Sequence, residues 1–346
     1  MIPKRREFLK TTLLGGGAAS FLVGCSDSEP TATSGEGTPE PSLADRFPIS
    51  LAQWSLHRAL RAGELDNLDF PKFTQETFGI EAVEWVNSFF HVEHPTYGIQ
   101  PKGQKYLTDM KTRADDSGVV SVLVMCDRVG TLGNPDQLKR TAAIEGHHAW
   151  LDAAKFLGCH SIRVNAGSDP ALSPEQQADL CTDGLRRLSE HASTLDLNVI
   201  VENHGGLSSN GSWLARVIEG VGLENCGTLP DFGNFYVAKN RGKPEQYAKQ
   251  KAPYEGDPAY TEDETGLGYD RYTGVRELMP FAKGVSAKAH DFDAEGNEVN
   301  TDFGRMFDIV EASGYEGYVG IEYEGKTIGE VEGIKKTKAL LERVFG

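Results

Sequence analysis

The chain has 346 residues, 39% of them hydrophobic and 25% charged, which is enough apolar side chain for a sizeable core and excludes a globally disordered class. Its formal net charge is −16, and no Lys/Arg-rich stretch interrupts the body of the chain. A polyanionic partner such as nucleic acid is therefore excluded, and neutral ligands or divalent cations suit the balance better.

The first stretch reads as an address. Lys4-Arg5-Arg6-Glu7-Phe8-Leu9-Lys10 has a twin-arginine pattern, and the apolar, Gly-rich run after it is too short to span a bilayer stably. The run ends in Leu22-Val23-Gly24-Cys25, similar to a bacterial lipoprotein cleavage box with Cys25 as the lipidated residue. These patterns imply export by the twin-arginine route to the periplasmic or cell-surface side, with a lipid anchor as the sole membrane attachment. Residues 26–44 have almost nothing apolar to bury and repeat Pro and Gly, so they read as a flexible linker.

From residue 45 to 346, short β-branched runs alternate with amphipathic stretches, the order that gives a parallel sheet covered by helices. Strands are expected at 49–54, 82–86, 119–126, 161–165, 198–202, 227–231, 284–288 and 318–322. Eight of them in one α/β chain point to a single-domain (β/α)8 TIM barrel. An open doubly wound sheet is disfavoured because Gln53-Trp54-Ser55-Leu56-His57, not a Gly-rich turn, follows the first strand. Helices are expected over 138–157, from the capping box Ser173-Pro174-Glu175-Gln176, and over 331–345. The polar stretch rich in Tyr, Pro and Gly after Tyr236 reads as an insertion over the barrel mouth. Cys126, Cys159, Cys181 and Cys226 form no CxxC pair and read as single buried thiols.

In such barrels the functional groups stand at the C-terminal ends of the strands. Three carboxylates do so here, each after an apolar run: Glu202 on the fifth strand, Asp231 on the sixth and Glu322 on the eighth. Acids facing one mouth repel one another unless a cation or shared protons compensate, and a divalent metal is the usual compensation. Trp54, Glu84, Arg163, Asn165, Asn203, His204 and Asn234 are candidates for holding a substrate, Trp54 by stacking on a sugar's apolar face. His94, His147, His148 and His191 read as surface or packing residues.

With its closing run from Gly314 to Gly325, this pattern resembles the xylose isomerase-like barrels, the sugar phosphate isomerase/epimerase family. The resemblance implies one divalent ion (Mn, Co, Mg or Zn) held by Glu202, Asp231, Glu322 and a His from strand seven. Ser286-Ala287-Lys288-Ala289-His290 departs from the family's His-x-Lys there, leaving His290, a water or Ser286 for the fourth place. The implied chemistry is isomerisation or epimerisation of a small carbohydrate through an enediolate, with Glu202 and Glu322 moving protons and Lys288 beside the oxyanion. No basic phosphate cradle is evident, so the expected substrate is not phosphorylated. Rival readings are a 3-keto-glycoside lyase or hydrolase on the same site and a non-catalytic surface sugar-binding protein; an abasic-site endonuclease would need more histidines and a basic face. Self-association of the domain is left open.

Overall fold

The structure, a computed structural model, describes residues 43–239, 260–263 and 266–346. The leader, Cys25 and most of the linker fall outside the described residues, as do 240–259 and 264–265 in the insertion. The expected end of the linker, residue 44, lies within a short helical turn, Leu43–Arg46, that opens the barrel domain.

Eight parallel strands line the barrel: β1 Ile49–Ala52, β2 Ala82–Val86, β3 Val120–Met125, β4 Ser161–Val164, β5 Asn198–Glu202, β6 Cys226–Leu229, β7 Val285–Ala289 and β8 Val319–Tyr323. They neighbour one another in the order β7-β8-β1-β2-β3-β4-β5-β6. The ring closes between β6 and β7 through parallel bridges at Thr228–Ala282 and Asp231–Ser286. Three backbone hydrogen bonds support that seam: Lys283 N to Thr228 O, Ser286 N to Pro230 O and Phe232 N to Ser286 O, at 2.9–3.0 Å. The expectation of a single-domain (β/α)8 barrel is thereby met.

A helix follows each strand: α1 Phe70–Phe78, α2 Gln104–Asp116, α3 Gln137–Leu157, α4 Pro174–Ser193, α5 Gly211–Val221, α6 Arg271–Leu278, α7 Phe303–Ala312 and α8 Glu330–Phe345. Their starts are set locally. Asp136 caps α3 by accepting from Leu138 N and Lys139 N, and Ser173 and Gln176 close the capping box of α4.

Strand period decides the two faces. Leu51, Val83, Trp85, Val124, Ile162, Val199, Val201 and Ile321 face the helices in the larger core, where each fully buried side chain contributes about 1.5–3 kcal/mol. The alternate positions point into the barrel, where a smaller apolar cluster (Ala52, Ala82, Val86, Leu123, Met125, Ile200, Leu229) shares the space with buried polar groups.

β1 ends two residues earlier than expected, because the chain turns into a 3-10 helix over Gln53–Leu56. Gln53 holds that turn: its amide donates to Asn67 Oδ1 at 2.7 Å and accepts from Val86 N at 2.9 Å. After β6 the insertion forms antiparallel strands at Tyr236–Lys239, Tyr260–Asp263 and Gly266–Tyr269. The first packs against the turn Gly206–Ser209 that follows β5, which puts this excursion at the same barrel end as Glu202. The four cysteines outside the leader are free and buried, and burial pushes the Cys226 thiol up to about 11.

Candidate active site

Inward-facing positions at the C-terminal ends of the strands gather an unusual density of charge. Glu84, Arg163, Glu202, Asp231, Lys288 and Glu322 are all buried. Among the described residues, Glu202, Asp231 and Glu322 are the one group of His, Cys, Asp and Glu side chains whose ligand-type atoms all lie within 4.8 Å of one another. The three carboxylates anticipated from sequence are therefore brought together.

Each is held differently. Glu202 Oε1 accepts from the Asn234 amide at 2.9 Å, and its Oε2 is 2.9 Å from Arg163 Nε in an ion contact that is not aligned as a hydrogen bond. Asp231 Oδ1 accepts from the backbone N–H of Gly233 and Asn234 at 2.9 and 2.8 Å, and its Oδ2 accepts from Ser286 Oγ at 2.7 Å. The same hydroxyl lies 3.2 Å from Glu322 Oε2. Between them stands the Lys288 ammonium, 3.2 Å from Glu322 Oε1, 3.4 Å from Glu324 Oε2 and 3.6 Å from Asp231 Oδ2.

Deeper in the barrel, Glu84 Oε1 accepts from Ser50 Oγ at 2.6 Å, while its Oε2 has no partner. Gly320 makes room for it, since a Cβ there would come 2.4 Å from Glu84 Oε1. Asp127, just past β3, accepts from Arg163 at 2.7 Å and from the Asn165 amide at 3.0 Å; Asn165 Oδ1 is left buried and unpaired.

These six carboxyl groups, with Glu324, Asp127 and Glu84 counted, outnumber the two buried cations Arg163 and Lys288. Protonation answers the excess. Burial pushes Glu84 up to about 7, with the negative charge of Glu202 adding to it. Burial also drives Glu322 up to about 8 and raises Asp231, in both cases against the lowering pull of Lys288. Two acids nearer solvent go the other way: Lys288 and the Trp54 indole hold Glu324 near 2 against burial, and Arg163 holds Asp127 near 2.

Trp54 lines the mouth next to Glu324. Its indole N–H donates to Glu324 Oε1, its ring stacks on His57 at 4.8 Å, and the Arg61 guanidinium lies 4.7 Å from its centroid. Phe89 stands 6.3 Å from it, and both pack on the inner apolar cluster with Ala52, Val86 and Met125. Trp54 and Phe89 thus give the mouth an apolar face beside β1 and β2, next to the charged groups.

Not every expected residue joins. Asn203 turns away: its amide donates to Asp231 O at 2.9 Å and its Oδ1 accepts from Asp231 N at 2.7 Å, so it braces the loop that carries Asp231. His204 is exposed, its backbone N–H held by Ser208. His290, expected as a nitrogen ligand, is not in the carboxylate group. It lies just past the last residue of β7, its backbone N–H donates to Glu298, and its Nε2 is 3.9 Å from Glu324 Oε2. His147 is buried with Nδ1 2.7 Å from Ala143 O, and His148 stacks on His191 at 3.7 Å between α3 and α4. Asp127, Glu324, Ser50 and Phe89 were passed over in the sequence. Asp127 and Glu324 carried a readable signal, the first directly after an apolar strand and the second two residues beyond Glu322 on the same face.

A family profile described as "Xylose isomerase-like TIM barrel" matches residues 75–344. The chain belongs to that family. No curated protein matches it. Among solved structures it is similar to 3-keto-D-glucoside 4-epimerase from E. coli, with 15% sequence identity, 86% of this chain and 99% of that chain covered, and a TM-score of 0.59. It is similar also to D-psicose 3-epimerase solved with D-fructose, at 12% identity, 87% and 100% coverage and a TM-score of 0.58. A third, the IOLI protein with a bound zinc atom, is 12% identical, with 86% and 98% covered and a TM-score of 0.58. At such identities these likenesses establish the shared barrel, and the reaction has to be argued from this chain's own site.

The family commonly uses a divalent metal, and the acidic triad is a candidate to hold one. The surrounding groups fit a dication poorly. Two of the three carboxylates already face a buried ammonium, and Ser286 Oγ occupies Asp231 Oδ2. At an effective dielectric of 20, a dication about 4 Å from an ammonium is repelled by roughly 8 kcal/mol. No step below is routed through a metal.

Proposed function

We propose that this chain isomerises or epimerises a neutral, non-phosphorylated ketose or keto-sugar by proton transfer beside a carbonyl. The observation that carries this reading is the convergence of Glu202, Asp231 and Glu322 at the barrel mouth, the last two facing the Lys288 ammonium. Glu202, as carboxylate, takes the proton from the carbon next to the carbonyl. The C–H electron pair moves into the enediolate, and the developing oxygen charge lies against Lys288. Glu322, held in its acid form by burial, returns a proton to the neighbouring carbon or to the opposite face. Exchange between the two carboxyls through a substrate hydroxyl or water restores the starting state.

The charge balance supports a neutral substrate. The proton Glu202 takes up neutralises that carboxylate as the enediolate forms, so the net charge of the site is unchanged, whereas a phosphate or a uronate would add charge beside cations already matched to carboxylates. Asn165 Oδ1 and Glu84 Oε2, buried and unpaired, are suited to sugar hydroxyls or ordered water. The test is a product assay with neutral ketoses and their phosphates; turnover of the phosphates in preference to the free sugars would sink this reading.

A second reading is elimination of the aglycone from a 3-keto-glycoside, which shares the first proton abstraction. The apolar wall of Trp54 and Phe89 favours it, because an aglycone needs such a surface. Aglycone release separates the two.

Export as a twin-arginine lipoprotein anchored through Cys25 belongs with these proposals. Its support is the sequence of residues 1–25. Among the described residues no helix is long and apolar enough to cross a membrane. Cys25→Ala should release the protein from the membrane fraction; unchanged partitioning would refute the anchor.

A further inference from the structure

Read as His-x-Lys, β7 puts Ser286 in the ligand position, and its hydroxyl does reach Asp231 and Glu322, with Ser286 level with Asp231 on one side and with Gly320 on the other. The parallel register with β8 also sets Lys288 level with Glu322. The residue of β7 standing beside the β8 carboxylate is thus Lys288, and Ser286 lies one inward position deeper.

Lys288 stands beside two of the three grouped carboxylates, Asp231 and Glu322, and beside Glu324. An ammonium has three N–H donors and no acceptor, and here three carboxylates surround it: Glu322, Glu324 and Asp231 at 3.2, 3.4 and 3.6 Å. The side chain is 2% exposed. Its stem is packed under the loop after β6, where a Cβ at Gly233 would come 3.1 Å from both Cγ and Cδ of Lys288. Ser286 Oγ contacts Asp231 Oδ2, the oxygen that faces Lys288, and Glu322 Oε2 from below.

We propose that in this chain the Lys288 ammonium takes the place of a divalent metal, so that the site is assembled and works without a bound metal ion. A fixed monovalent donor serves the same two ends: it draws the carboxylates together, and it meets oxygen charge as that charge develops. It does so with hydrogen bonds in place of coordination, which favours hydroxyl and carbonyl oxygens over softer donors. The inference rests on the reading above only for the oxyanion it would meet; the placement of the cation stands apart from turnover.

The test is calorimetric titration of the chelator-treated full chain with manganese, magnesium and zinc chlorides, alongside metal content by mass spectrometry. The wild type should contain no stoichiometric metal and give no saturable binding. Lys288→His should gain one saturable site for manganese or zinc where the wild type shows none. One divalent ion per wild-type chain, lost in Glu202→Gln, would overturn the proposal, as would a folded Lys288→His protein that binds no metal. If Lys288→His does not fold, the wild-type titration decides by itself. Inactivity toward every ketose, with or without metal, would count against the proposed reaction and leave the titration's answer intact.

Discussion

Lys288 Nζ lies 3.2 Å from Glu322 Oε1, and the parallel pairing of their strands makes the two residues direct neighbours. Burial alone would discharge either group. Together, with Asp231 and Glu324 in reach of the same ammonium, the charge persists inside the barrel: Lys288 is held well above its ordinary value by the carboxylates around it. A buried pair of this kind is costly to break from one side.

Lys288→Met therefore leaves Asp231, Glu322 and Glu324 facing one another without a cation. A loss of about 3–5 kcal/mol is expected near pH 8. At pH 5 the loss should shrink, because the carboxyls then take up protons. Urea unfolding of both proteins at the two pH values reads the difference, and an equal loss at both would contradict it.

Glu84 gives a second pH-dependent signature. Its folded value is raised from 4.5 to about 7, so its contribution is present below about 4.5 and is lost as pH rises through 7. Glu84→Gln keeps an acceptor for Ser50 Oγ and removes the titration. At pH 8 the variant should be more stable than the wild type by up to about 3 kcal/mol, and the two should converge near pH 4.5. Parallel stability curves from pH 4.5 to 8 would refute this.

Asn203 acts through Asp231. It satisfies both backbone groups of that residue, so Asn203→Ala strands a buried N–H and a buried C=O and should cost about 2–4 kcal/mol. Turnover should fall with it, since the loop then no longer fixes the carboxylate. An unfolding curve unchanged from the wild type would show that the brace is dispensable.

The two glutamates should separate by pH. Glu322 donates as an acid with a value near 8, so kcat/KM should decline above pH 8 in the wild type. Glu322→Gln should lower kcat by about 10²–10⁴-fold and abolish that limb, while Glu202→Gln should lower kcat over the whole pH range. A limb persisting in Glu322→Gln would assign it to another group.

The barrel was legible because strand period and helix boundaries are local. Glu202, Asp231 and Glu322 were legible for the same reason, each being a charge that ends an apolar run. What local pattern cannot give is height in the barrel, which depends on how each strand is staggered against its neighbour. The motif puts Ser286 at the ligand level, where its hydroxyl does meet Asp231 and Glu322, and the pairing Lys288–Glu322 shows that lysine stands beside the same carboxylates. His290 stands just past the end of β7, beside Glu324 and outside the three-carboxylate group. Asn203 was read as a sugar contact, yet its odd position beside inward-facing Glu202 already turned it away from the barrel. Asp127 met the rule that found the triad and was passed over.

Proton transfer beside a carbonyl is tested most directly by deuterium wash-in from D2O, followed by NMR on a panel of neutral ketoses and 3-keto-glucosides. At least one sugar should acquire deuterium on the carbon next to its carbonyl with the wild type, and none should with Glu202→Gln. Tight binding of these sugars by the wild type with no wash-in from any of them would contradict the account and leave a sugar-binding barrel without catalysis.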